Sequence, residues 1–82
     1  ALGMEYLALG RLEEARELLE ELLRKDPAYV GSYYQLGGLL RQMGERERAI
    51  DWYKKGIEQA RLQGERKAWQ ELQAALDDLE ED

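Results

Sequence analysis

Apolar residues recur along this chain at intervals of three and four, with charged residues between them. From Leu12 the stripe runs Leu12, Ala15, Leu18, Leu19, Leu22 and Leu23, the i, i+3, i+4, i+7 pattern of a helix that buries one face. Asp26-Pro27 stops it, because proline restricts the residue before it and supplies the fixed φ on which a new helix starts. A second stripe, Val30, Tyr33, Leu36, Leu40 and Met43, predicts a helix over about 28–43. Gly44 ends that helix as a left-handed cap. A third helix follows over about 45–62, with Ala49, Ile50, Tyr53, Ile57 and Ala60 inward, and after Gly64 a last one spans about 65–80 on Trp69, Leu72, Leu76 and Leu79. Ahead of these, Gly10 reads as the cap of a further helix, cut at Ala1, whose apolar face is Leu2, Tyr6 and Leu9. The expectation is an all-α chain of about five helices, and a helical opening at Ala1 reads as a piece of a longer protein.

The stripes repeat. Shifted by 34 residues against itself, the chain brings Leu2-Gly3 onto Leu36-Gly37, Gly10 onto Gly44, Glu13 onto Glu47, Ala15 onto Ala49 and Glu17 onto Asp51. Large residues also fall on large ones, Tyr6 over Leu40 and Leu19 over Tyr53. A fixed period of this length is the mark of stacked helical hairpins, none of which buries its apolar face alone.

Composition narrows the function. There is no Cys, His, Asn, Thr or Phe, and the one Ser is Ser32. Neither a Ser-His-Asp nor a Cys-His arrangement can be assembled, nor a zinc site of Cys and His, and no side chain titrates near neutrality without strong perturbation. What remains is Asp, Glu, Lys, Arg and Tyr, with no phosphate-cradling glycine loop and no clustered metal ligands. The reading is a non-enzymatic chain that needs no cofactor or metal.

Net charge is −6, and Asp77, Asp78, Glu80, Glu81 and Asp82 supply most of it. A body close to neutral argues against nucleic-acid binding, which requires a net basic surface. With no long apolar run and no leader-like start, neither a membrane partner nor secretion is expected, and the cytoplasm is the expected location. The acidic end opposes the dipole of its helix and is expected to fray.

The residues resemble the tetratricopeptide repeat family, whose helix-turn-helix unit carries Trp-x2-Leu-Gly-x2-Tyr, then Ala, a bulky apolar residue, a small residue and Pro. Leu2-Gly3, Tyr6, Ala15, Leu19 and Pro27 match one unit, with Leu22 where a small residue is usual. Tyr33 in the Trp place, Leu36-Gly37, Leu40, Ala49, Tyr53 and Gly56 match a second. Arg61 departs from the Pro position; after two extra residues, Trp69, Leu72 and Leu76 resume the spacing, with Gln73 in place of Gly. The resemblance implies a right-handed superhelix of antiparallel helices in one domain: a truncated repeat over 1–29, a full repeat over 30–63 and a capping helix over 64–82. Gly3 and Gly37 then serve close helix packing, and Tyr6, Tyr33, Tyr53 and Trp69 core packing.

The resemblance also implies a concave groove, lined by the first helix of each repeat, that holds a partner polypeptide. The corresponding positions are Met4, Leu7 and Ala8, then Tyr34, Gly38, Arg41 and Gln42, then Lys67, Gln70 and Ala74. Tyr34, Arg41 and Met4 are the expected anchors. Some members grip a C-terminal carboxylate with Lys and Asn, but Met4 and Gly38 stand where those asparagines would be. Arg41 and Lys67 favour an acidic partner, and Asp77 and Asp78 oppose one. The alternative is self-association, a homo-oligomer paired through the apolar face of Leu2, Tyr6 and Leu9.

Overall fold

A computed structural model describes residues 2–81, with side chains from Gly10 to Glu81. The described residues form four helices and no strand: α1 (Leu2–Lys25), α2 (Val30–Gln42), α3 (Arg46–Gln63) and α4 (Arg66–Glu81). Each later helix packs on the one before it, and α2 also touches α4, so α2 and α4 lie on one side of α3.

The turns are built by the residues that the sequence marks. Asp26 Oδ1 accepts the Ala28 amide at 3.3 Å, and the Tyr33 hydroxyl donates to the Pro27 carbonyl at 2.7 Å, tying the Asp26-Pro27 corner to α2. Gly44, at φ +80°, and Gly64, at φ +71°, close α2 and α3 alike. In the first, the Gly44 and Glu45 amides donate to the Arg41 and Leu40 carbonyls; in the second, Gly64 and Glu65 donate to Arg61 and Ala60. This paired arrangement satisfies carbonyls that a helix end otherwise leaves open, and it requires a left-handed residue that glycine supplies without a Cβ clash.

Gly10 does not behave as its counterpart Gly44 does. It lies inside α1 and has no positive φ, so the expected fifth helix is absent and 2–25 form one rod. Glycine costs a helix interior only about 1 kcal/mol, a penalty that strong helix formers on both sides, Leu, Glu, Ala and Arg, offset. The side chains of Leu2, Gly3, Met4, Tyr6, Leu7, Ala8 and Leu9 lie outside the described residues.

The core sits between α2, α3 and α4: Val30, Tyr33, Leu36, Leu40, Ala49, Tyr53, Ala60, Leu72, Leu76 and Leu79, joined by Leu23 from the end of α1. Two glycines permit the close approach. A Cβ on Gly37 would fall 2.6 Å from Cδ1 and 2.7 Å from Cζ of Tyr53, and one on Gly56 would meet Tyr33 Cγ at 3.0 Å and Leu72 Cδ1 at 3.1 Å. The α1 stripe is only partly used: Leu23 is buried and Leu12, Ala15 and Leu19 are half-buried, but Leu18 is 72% and Leu22 37% exposed. The expected burial of Leu18 and Leu22 fails because, among the described residues, α1 packs on α2 alone. Trp69 is likewise 38% exposed rather than inward. It lies in the first turn of α4, where α3 ends, and among the described residues no other helix crosses it.

The acidic end is ordered as far as Glu81; Asp82 lies outside the described residues. Leu79 is buried, and the Arg46 guanidinium, from the start of α3, donates to the Leu79 carbonyl at 3.2 Å and the Glu80 carbonyl at 3.4 Å. A cation on the open carbonyls of a helix C-terminus opposes the fraying that its acidic residues favour.

Candidate functional site

On α2, Tyr34, Gly38, Arg41 and Gln42 follow i, i+4, i+7, i+8 spacing and share one side of the helix. On α4, Lys67, Gln70 and Ala74 share a stripe that continues four residues on to Asp78. The two stripes meet where Arg41 reaches across to Asp78, Nη2 to Oδ2 2.7 Å. Tyr34, Gln42, Lys67, Gln70 and Ala74 are exposed and Gly38 and Arg41 half-buried, so seven of the proposed groove positions lie on a surface spanning α2 and α4. The other three, Met4, Leu7 and Ala8, belong to α1 before Gly10, and their side chains lie outside the described residues.

The floor of this surface is Tyr53 of α3. Its ring is buried against Gly37, its hydroxyl would lie 3.8 Å from a Cβ on Gly38, and its ring centroid is 6.4 Å from that of Tyr34 in a tilted arrangement. Glycine at 37 therefore admits the ring, whereas a Cβ at 38 would make only ordinary contact with the hydroxyl. Burial pushes the Tyr53 phenol pKa up, as do the neighbouring Tyr34 and Asp78, while Arg41 works the other way. Tyr33, next to Tyr34 on α2 but buried, is also raised, by burial and then by Asp26.

Two participants escape the sequence reading. Tyr53 falls on an apolar stripe and reads as core alone, and it is buried, yet its ring lies against that of Tyr34 beneath this surface. Asp78 reads as part of a repelling tail, whereas it is the ion-pair partner of Arg41. The i, i+4 step from Ala74 to Asp78 is the signal that would have found it.

A second concavity, about 390 Å³, lies at the α3–α4 turn between Ala60, Arg61, Gly64, Glu65, Arg66 and Trp69. Arg61 there is paired with Glu58 at 2.7 Å. Among the described residues no group of acidic side chains converges as a metal site, and no helix is long and apolar enough to cross a membrane.

Comparison with known proteins gives the context. The sequence profile of the tetratricopeptide repeat family matches residues 1–63. Two solved structures of a tetratricopeptide repeat domain protein from Salinibacter ruber are similar to this chain at 44% identity. The crystal structure superposes with a TM-score of 0.81 over 98% of this chain and 90% of that one. The solution structure gives 0.83 over 98% and 81%.

Proposed function

Since this chain belongs to the tetratricopeptide repeat family, a fold used for protein–protein interaction, we propose that it holds a segment of a partner polypeptide against the α2–α4 face, as one module of a larger scaffold. The observation that carries this reading is the continuous surface of Tyr34, Gly38, Arg41, Gln70 and Ala74, joined across two helices by the Arg41–Asp78 pair. Tyr34 offers a half-exposed ring with little rotamer entropy to lose, and Arg41 offers planar donors, the two residue types that most often anchor an interface. Exposed ion pairs contribute about 0–1 kcal/mol, so a partner carboxylate competes with Asp78 for Arg41 at small cost. Residues 1–29, 30–63 and 64–82 serve in this reading as a partial repeat, a full repeat and a cap. Gln73 and Asp77 on α4, where α2 has Gly37 and Arg41, give the cap a polar outer side.

A display selection tests the reading: random peptides are selected on the chain and rescreened on Tyr34→Ala/Arg41→Glu, with equal helicity of the two proteins checked by circular dichroism. Peptides that bind the first and not the second support the groove. Selected peptides that bind both equally contradict it.

A further inference from the structure

Along α1, which packs on α2 alone among the described elements, Leu18 and Leu22 are exposed beside the half-buried Leu12, Ala15 and Leu19, of which Leu19 also touches the core. In the internal repeat, Ala15 and Leu19 stand 34 residues before Ala49 and Tyr53, which are buried because α2 turns back at Gly44 and lies on α3. The segment that covers Tyr53 is 36–43, whose counterpart 34 residues earlier is 2–9. That counterpart repeats the Leu-Gly pair and holds one charged residue, Glu5. Yet α1 passes straight through Gly10, and one rod cannot lie on itself. With Gly10 helical, residues 2–9 cannot reach the 12–22 stripe of their own chain.

A second copy can supply them. Two continuous α1 helices laid antiparallel and crossing near residue 11 set position 3 of each against position 19 of the other. That repeats the apposition of Gly37 and Tyr53 within one chain. We propose that this chain forms a two-fold dimer by exchanging residues 2–9, each segment covering Ala15, Leu19 and their neighbours on the partner's α1, with Gly10 as the hinge. Such an exchange uses contacts that the sequence already encodes and closes with two-fold symmetry, so it stops at two copies. It is independent of the α2–α4 groove.

Sedimentation equilibrium over a roughly hundredfold concentration range tests it, since such a dimer dissociates on dilution. Gly10→Ala favours the straight rod and is expected to tighten the dimer by roughly fivefold per chain, the helix-propensity difference between the two residues. Arg11→Pro disfavours helix at Gly10 and starts a new helix after it. It is expected to give a monomer of nearly unchanged helicity, with 2–9 folded back on their own chain. Ala15→Glu sets a charge in the shared face and is also expected to give a monomer, its folding checked by circular dichroism. A wild-type chain that stays monomeric throughout the range overturns the proposal. So does a dimer that survives Arg11→Pro or Ala15→Glu, or one broken instead by Tyr34→Ala/Arg41→Glu, which would put the contact in the groove.

Discussion

Glycines in this molecule divide by what stands opposite them. Gly31, in the first turn of α2, has open space where a Cβ would go, whereas Gly37 has the Tyr53 ring, itself held between Tyr34 and the core. Alanine at position 31 is expected to raise stability by about 0.5–1 kcal/mol through helix propensity and a less flexible unfolded chain. At position 37 the same substitution forces the ring or the helix to move and is expected to lower stability by about 1–3 kcal/mol. Urea denaturation of the two variants beside the wild type checks this, and two shifts of the same sign would show the close approach to be misplaced. The phenols supply a pH test. Tyr33 and Tyr53 both have raised pKa values, so the folded state keeps protons that the unfolded chain gives up. Their contribution to stability is complete below about pH 10, the usual tyrosine value, and is lost as pH rises through the folded pKa. Tyr53→Phe is therefore expected to lose less stability than wild type between about pH 9 and pH 11.

At the scale of the element, periodicity reads three helices correctly and misreads the fourth. For α2, α3 and α4 the apolar stripe, the proline corner and the two left-handed glycines agree, and the helices end within about two residues of expectation. At Gly10 the glycine and its place in the repeat spoke for a turn, but no proline or other breaker stands beside it, and the helix formers around it prevail. The same lesson applies to Leu18, Leu22 and Trp69: spacing says which side of a helix is apolar, but only a neighbouring element decides whether that side is covered. The order of α4 to Glu81 was also illegible, because it rests on Arg46, 33 residues before Leu79. Arg46→Ala is expected to loosen the last turn of α4, costing about 0.5–1.5 kcal/mol there. Amide hydrogen exchange at Leu79, Glu80 and Glu81 is expected to quicken while the core amides of α3 hold. Unchanged exchange at those three positions would show that the guanidinium does not cap the helix.

For the whole molecule, the family and the all-helical class were legible in the 34-residue repeat, since its matched glycines and aromatics carry both the turns and the packing. Part of the candidate surface was legible too. Tyr34, Gly38, Arg41 and Gln42 follow from repeat position, and so do Lys67, Gln70 and Ala74. Asp78 and the contact of the Tyr53 ring with Tyr34 were not, because pairing across helices depends on geometry that no period encodes. Charge on this face is mixed rather than uniformly basic, with Arg41 engaged by Asp78 and Lys67 near one end. Under the proposed function, shape and the Tyr34 ring would thus matter more than net attraction, and two helices of groove make a modest affinity the expectation. The most direct measurement is backbone amide chemical-shift mapping of the chain titrated with a selected peptide. The expected result is a contiguous set of perturbed amides around Tyr34, Gly38, Arg41, Gln42, Gln70 and Ala74, weakened in Tyr34→Ala/Arg41→Glu. Perturbations gathered instead around Trp69 and Gly64, or along the outer side of α1, would contradict a polypeptide-holding face on α2 and α4.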